Sequence, residues 1–313
     1  MLKLSEKFRG RDFLTLQDFS RADLHVFIAA ARELKARQKA GEPHRLLAGK
    51  TLGMIFAKSS TRTRVAFEVG IYQLGGAGLF LSERDIQLGR GESIADTARV
   101  LSRMLDGIMI RTFSHSEVEA LARHAAIPVI NGLTDYLHPT QVLADLMTVE
   151  EHKGRIAGLK LAYIGDGNNV AHSLLLGCSI TGMDIALACP EGYEPQAAIV
   201  QTALANAAAG GSRVSIGHDP LAAAREADVL YTDVWAGMGQ EEEAAKRQEA
   251  FKGYCLDTAL LKAARPDAIV LHCLPAHKGE EITAEVFEGS QSVVFDEAEN
   301  RLHAHKAVMA LLM

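Results

Sequence analysis

The hydrophobic pattern alternates between short apolar runs and longer amphipathic stretches, and it does so twice along the chain. An amphipathic helix is predicted near residues 16 to 38. After it, TLGMIFA (51–57), GLFLS (78–82), GIMIR (107–111) and IPVI (127–130) are short apolar runs, each followed by a stretch of helical character. Runs of this length predict buried strands, and strand–helix alternation predicts a parallel sheet with helices on both faces. A long helix is predicted from about Pro139 to His152, and then the alternation restarts. KLAYIG (160–165), DIALAC (184–189), RVSIG (213–217), DVLYTD (228–233) and AIVLHCL (268–274) read as a second parallel set, with SVVFDE (292–297) as a candidate sixth strand. A last helix, from about Ala298 to Leu312, is apolar on one face and must pack on something. No short-period repeat or low-complexity segment interrupts the pattern. The expected fold class is α/β: two doubly wound parallel-sheet domains joined by interdomain helices, with the active site in the cleft between them. One domain is expected over 1–149 plus the C-terminal helix 298–313, the other over 150–297.

Length supports the division, because 313 residues exceed what one hydrophobic core usually sustains. A content of 48% apolar and 23% charged residues is that of a soluble globular protein. The net charge of −6 gives no general attraction to nucleic acid or to an anionic membrane, and neither is an expected partner. Any anion site must therefore be local. Cys178, Cys189, Cys255 and Cys273 lie far apart with no CxxC pair, which fits neither a zinc cluster nor a disulfide framework and suits a reducing compartment. The opening MLKLSEKFRGRDFLTL lacks an apolar signal-peptide core, and Glu6, Asp12 and Asp18 count against a transit peptide. A cytoplasmic location is expected.

Open α/β sheets bind ligands beyond the carboxyl ends of their strands, so the residues just after the strands carry the candidate chemistry. Ser60-Thr61-Arg62-Thr63-Arg64 follows the first strand and opens a helix. Ser60 can cap that helix, leaving backbone amides beside hydroxyls and two guanidiniums, a set that attracts phosphate. The same residues would also serve as an ordinary polar helix start, though two arginines at the positive end of a helix dipole are unfavourable without an anion. Arg111 directly follows GIMI, and His138-Pro139-Thr140-Gln141 precedes the connecting helix, so both fall at the mouth of the same sheet. Together they could polarise a carbonyl and bind its NH2 group; a histidine there could equally be structural.

In the second half, Gly165-Asp166-Gly167-Asn168-Asn169 follows a strand and opens a helix, but Val170 stands where a dinucleotide fingerprint needs its third glycine. Two asparagines at that turn suit a ligand carboxylate or, for Asn168 especially, turn stabilisation. Asp233 ends a strand ahead of Val234-Trp235-Ala236-Gly237-Met238-Gly239-Gln240-Glu241. A carboxylate followed by a glycine-rich loop suggests a cation-binding group under a closing lid, with capping of the next helix as the alternative. His272-Cys273-Leu274-Pro275-Ala276-His277 closes a further strand. His272, Cys273 and His277 match no common zinc spacing. A cysteine nucleophile is a second option, but strand neighbours point to opposite faces, so His272 cannot simply serve as its base.

These motifs resemble the aspartate/ornithine carbamoyltransferase family over nearly the whole chain. Ser-Thr-Arg-Thr-Arg, Asp85-Ile86-Gln87-Leu88-Gly89-Arg90-Gly91-Glu92-Ser93 and His138-Pro139-Thr140-Gln141 resemble its carbamoyl-phosphate domain. Asp-Gly-Asn-Asn, Asp-x-Trp-x-x-Met-Gly-Gln-Glu and His-Cys-Leu-Pro-Ala-His resemble its ornithine branch. The resemblance implies that Ser60, Thr61, Arg62 and Thr63 hold the phosphate of carbamoyl phosphate, while Arg111, His138 and Gln141 hold its carbamoyl group. It also implies that Gln87 reaches into a neighbouring subunit's site, making a homotrimer with shared active sites. Asn169 would bind the carboxylate of L-ornithine and Asp233 its α-ammonium, with Gly237 and Met238 closing over it. Cys273 would sit by the δ-amine, and the carbonyls of Cys273 and Leu274 near the carbamoyl nitrogen. Arg301 would reach the carbamoyl carbonyl, and Leu274-Pro275 would be a cis peptide. The family usually carries serine where this chain has Gly237, so one hydroxyl is missing. No metal and no organic cofactor is implied.

The residues favour the ornithine branch on their own chemistry. An aspartate acceptor would bring a second carboxylate needing a cation, whereas Asp233 and a thiol suit a cationic diamino acid; Lys278 is the exception that could supply that cation. The competing readings are a carbamoyltransferase for putrescine or an N-acylated ornithine, a nucleotide-binding oxidoreductase from fold alone, and a phosphate-binding protein without catalysis.

Overall fold

The computed structural model describes residues 6–87, 91–237 and 243–313. The chain forms two compact units, Met1–Met147 with Glu299–Met313, and Thr148–Ala298. Both boundaries fall inside helices, so each crossing between units is made by continuous helical backbone. Among the described residues no helix is long and apolar enough to cross a membrane.

The first unit runs α1 (Arg21–Lys39), β1 (Thr51–Phe56), α2 (Thr61–Gln73), β2 (Ala77–Ser82), α3 (Ile94–Leu101), β3 (Gly107–Arg111), α4 (His115–His124), β4 (Val129–Leu133) and the start of α5 (Pro139–Lys153). Its four strands are all parallel, in the order β2-β1-β3-β4. The chain leaves β1 toward one edge and returns to β3 on the other side, so a switch point opens between these two strands. The register pairs Phe56 with Arg111 there, which brings the turn after β1 beside the arginine that ends β3. Ile55, Ile108, Ile110, Val118, Leu121 and Val129 pack one core face. Phe8, Phe13, Phe19 and Phe27 form a second cluster, with ring centroids 5.0–6.3 Å apart.

The second unit runs β5 (Lys160–Ile164), α6 (Asn169–Thr181), β6 (Asp184–Ala188), α7 (Ala197–Gly210), β7 (Val214–Gly217), α8 (Pro220–Ala224) and β8 (Val229–Thr232). It continues through α9 (Ala244–Ala250), α10 (Thr258–Ala263), β9 (Ile269–His272), α11 (Ala284–Phe287) and the start of α12 (Val294–Leu312). Five parallel strands lie in the order β7-β6-β5-β8-β9, with the switch point between β5 and β8. Ile164 pairs with Thr232 and Thr232 with His272, so the segments after β5, β8 and β9 leave the sheet side by side. Trp235, Phe251, Tyr254, Leu230 and Val270 belong to the core of this unit.

Three expectations need correction. GLFLS is not a buried strand but the sheet edge, with Leu79 47% and Phe80 38% exposed. SVVFDE is not a sixth strand. Only an isolated bridge, Val270 to Ser292, touches β9 before the chain turns helical at Val294. Asp296 and Glu297 in the first turn of α12 favour the helix start through its dipole. The last helix therefore begins four residues before Ala298. Its C-terminal part packs on α2, where a Cβ on Gly70 would lie 2.9 Å from Met309 Cε and 3.3 Å from Lys306 Cγ. Only glycine permits that approach without a shift of the facing side chains.

Candidate active site

The predicted site residues form two half-sites, one in each unit. In the first, Ser60 caps α2, accepting from Thr63 N–H at 3.2 Å with extended backbone. The cap fixes the helix start and turns Thr63 inward, fully buried. Arg111 from β3 and Arg301 from α12 converge on its hydroxyl, donating to Thr63 Oγ1 at 3.4 and 2.7 Å. Both guanidiniums are buried, at 6% and 3% exposure. His138, at 5% exposure, is held well below its usual pKa by burial and by Arg301 and Arg111, so its imidazole is neutral. Gln141, one turn along α5, donates to Asp145 Oδ1 at 2.8 Å, which fixes its amide. Two buried cations beside a neutral imidazole and a helix N-terminus form a site that favours an anion.

The two arginines of the turn separate. Arg64 is exposed, pairs with Glu68 at 3.3 Å and lies 3.8 Å from the Phe80 ring centroid. Arg62 is half-buried and makes no hydrogen bond or ion pair with the described residues. Thr61 is exposed. Gln87 is also exposed and makes no hydrogen bond to the described residues of its own chain.

In the second half-site, Asn168 rather than Asn169 occupies the cap of α6. Its Oδ1 accepts from Val170 and Ala171 N–H at 2.9 and 3.1 Å, and its Nδ2 donates to Asp233 Oδ2 at 2.8 Å. Asn169 is the first helical residue and half-buried. Gly167 is required by packing, since a Cβ there would lie 2.3–2.6 Å from backbone atoms of residues 193–195. Among the described residues Asp233 caps no following helix, since Glu243 stands at the start of α9. Its Oδ1 accepts from Val234 N–H at 2.8 Å and from the Cys273 thiol at 3.0 Å, so carboxylate and sulfur form one unit.

The turn bearing Cys273 is held from below. Leu274 has φ +59°, an uncommon and mildly strained conformation for a branched residue, and the following peptide to Pro275 is cis. Leu274 N–H donates to His272 Nδ1 at 2.9 Å, and His272 Nε2 donates to Glu281 Oε1 at 3.1 Å. Both ring nitrogens of His272 are thereby committed, which removes it as a base for a nucleophilic cysteine. His272 N–H also donates to Glu297 Oε2 at 2.8 Å. Lys278 pairs with Glu288 and lies over the Phe287 ring, so it is engaged away from Asp233's partners. Gly237 is half-buried, and Met238 lies outside the described residues.

Among the described residues, two groups of side chains bring donor atoms within 4.8 Å of one another and could hold a metal: Asp233, His272 and Cys273, and separately His277, Glu280 and Glu281. The candidate triplet His272, Cys273 and His277 is thus divided between them. Some supporting residues were missed from sequence. Asp145 stands at helical spacing from Gln141 and was legible in principle. Arg247, which bonds Asp166 at 3.0 Å and Trp235 O at 2.8 Å, and Glu281 and Glu297, are joined to the site only by tertiary folding.

Residues 11–151 match the family model described as "Aspartate/ornithine carbamoyltransferase, carbamoyl-P binding domain", and residues 157–312 match its "Asp/Orn binding domain". The chain is 58% identical over 304 residues to the ornithine carbamoyltransferase of Thermococcus kodakarensis, covering 97% of this chain and 96% of that one. It is 54% identical over 304 residues to the Pyrococcus furiosus protein named "Ornithine carbamoyltransferase, anabolic", covering 97% and 96%. The solved structure of ornithine carbamoyltransferase from Pyrococcus furiosus superposes with a TM-score of 0.95 at 54% identity, covering 98% of each chain.

Proposed function

The chain belongs to the aspartate/ornithine carbamoyltransferase family, and from that premise we propose that it transfers the carbamoyl group of carbamoyl phosphate to the δ-amine of L-ornithine, releasing L-citrulline and phosphate. The observation that carries the choice of acceptor is the Asp233–Cys273 pair, joined at 3.0 Å and braced by Asn168. A carboxylate and a thiol at the carboxyl ends of adjacent strands suit a cationic diamino acid, and the nearby Lys278 is engaged with Glu288. Asn169 binds the substrate carboxylate, Asp233 the α-ammonium, and the Gly237–Met238 segment closes over both. With glycine at 237 the family's usual serine hydroxyl is absent.

On the other substrate, the Ser60–Thr63 turn and Arg62 hold the phosphate, Gln141 binds the carbamoyl NH2 group, and Cys273 and Leu274 offer backbone carbonyls to it. The δ-amine starts near a pKa of about 10.4 and must lose a proton to attack; a dry pocket lowers that value, and Cys273 with Asp233 orients the nitrogen. Arg111, Arg301 and neutral His138 donate to the carbonyl oxygen as negative charge develops there, a contribution of about 10²–10³ in rate per donor. Phosphate leaves against the α2 N-terminus and accepts the amine proton. Neither metal nor organic cofactor takes part. The relative named as anabolic supports arginine biosynthesis as the physiological direction. The assembly is a cytoplasmic homotrimer in which Gln87 completes a neighbour's site. Citrulline formation from carbamoyl phosphate, with ornithine, putrescine and aspartate compared side by side, tests the reading. Turnover confined to ornithine is expected; equal or better turnover with either rival acceptor refutes the assignment.

A further inference from the structure

Just beyond the turn that bears Cys273 the chain reverses sharply. Gly279 N–H donates to Ile282 O at 2.8 Å and Glu280 N–H to His277 O at 2.9 Å, with Gly279 at φ +99°. The reversal gathers three side chains: His277 Nδ1 lies 3.8 Å from Glu280 Oε2 and 3.9 Å from Glu281 Oε2. One donor atom from each falls within 4.8 Å of the other two.

Glu281 separates this group from an ordinary surface cluster. It is fully buried, and its Oε1 accepts from His277 N–H at 2.5 Å and from His272 Nε2 at 3.1 Å. Its Oε2 is also buried, faces the His277 ring and has no hydrogen-bond partner among the described residues. A carboxylate oxygen removed from water without a donor is unfavourable, and a cation offsets it. The neighbouring Lys278 does not, because it pairs with Glu288 and lies 4.4 Å from the Phe287 ring centroid. The His277 side chain, 53% exposed, leaves the group open to an ion arriving from solvent.

We propose that His277, Glu280 and Glu281 form a binding site for a divalent first-row transition ion of the zinc class, separate from the half-site around Asp233. One imidazole and two carboxylates suit such an ion, whereas calcium takes more oxygen ligands and magnesium keeps most of its water. Bonds of about 2.0–2.2 Å put tetrahedral donors roughly 3.3–3.6 Å apart, so the two distances from His277 Nδ1, 3.8 and 3.9 Å, need shorten only by about half an ångström. Glu281 stays fixed, and water fills the open position. Because Glu281 Oε1 holds His272, whose Nδ1 receives Leu274 N–H, the ion is linked by two hydrogen bonds to the turn bearing Cys273.

Titrating the full chain with Co²⁺ and following visible absorption tests this without relying on activity. The expected result is one equivalent bound with ligand-field bands and no thiolate-to-cobalt charge transfer, retained in Cys273→Ser. Binding weakens by about 100-fold or disappears in His277→Ala and in Glu280→Gln. Both positions are at least partly exposed, and circular dichroism checks that both variants stay folded. Charge transfer that vanishes in Cys273→Ser would move the ion to the Asp233–His272–Cys273 group and overturn the proposal. Unchanged affinity in His277→Ala overturns it too. So does an absence of uptake by the unmodified chain.

Discussion

Arg62 and Arg64 are two positions apart at the start of one helix, carry the same charge and meet different surroundings. Arg64 has Glu68 a turn away and the Phe80 ring beneath it, while Arg62 has no such partner among the described residues. A hydrogen bond to a charged group contributes about 1.5–3 kcal/mol, and a guanidinium can make two to a phosphate. Arg62→Ala is therefore expected to weaken carbamoyl-phosphate binding by about 100-fold or more, with unfolding free energy unchanged within about 0.5 kcal/mol. Calorimetry measures the first and denaturant titration the second; unaltered affinity would refute the phosphate assignment. The residue types of both half-sites were legible because strand ends and helix starts carry them. Which arginine is engaged elsewhere was not, since that depends on Phe80 arriving from β2.

At the scale of elements, the start of α6 has two jobs. Asn168 caps the helix with one side-chain atom and braces Asp233 with the other. Asn168→Ala removes both, so unit 2 should lose about 1 kcal/mol from the cap alone. The unbraced Asp233 should also raise the KM for ornithine while leaving that for carbamoyl phosphate within about two-fold. Thermal unfolding with steady-state kinetics on both substrates checks this. An equal rise in both KM values would mean that the turn serves stability only. The strand–helix alternation was legible for eight buried or half-buried strands, but edge position was not. GLFLS has the composition of a central strand, and nothing local says that β1 has no room for it except on its outer side. The run 292–297 misled for a related reason: its valines fit a strand, but its two carboxylates fit a helix N-terminus better.

Across the whole molecule, the two units should respond oppositely to acid. In the first, burial holds His138 and His305 well below the usual histidine range, with Arg301 adding to both, and brings His303 down to about 4. Unfolded, each titrates near 6.5. Below that pH the unfolded chain binds more protons than the folded one, so this unit loses stability on acidification, by up to about 1.4 kcal/mol per pH unit for each histidine. In the second unit burial raises Asp166 to about 6 despite Arg247. There the folded form takes up its proton first, so acidification through 6 favours folding. Amide exchange, corrected for intrinsic rates, should show protection falling in the first unit and holding in the second; equal loss in both refutes the pH argument. The proposed trimer has its own test. Mixing Arg62→Ala with Gln87→Ala subunits should regenerate activity, and mixtures that stay inactive after verified subunit exchange count against shared sites.

Sequence alone determined the alternation of elements, the two-part α/β class and the residue types at the strand ends, because these follow from local periodicity and from backbone amides at helix starts. Tertiary structure decided which of those residues meet. Strand order sets the two switch points, and register sets Phe56 beside Arg111 and Thr232 beside His272. Arg301 reaches Thr63 across 238 positions of chain, and Cys273 reaches Asp233 across 40. No local pattern encodes such pairings, since they arise when each unit buries its own sheet and the helices packed on it. The same holds for Glu281, an unremarkable acidic residue in sequence whose burial under a tight reversal fixes its chemistry.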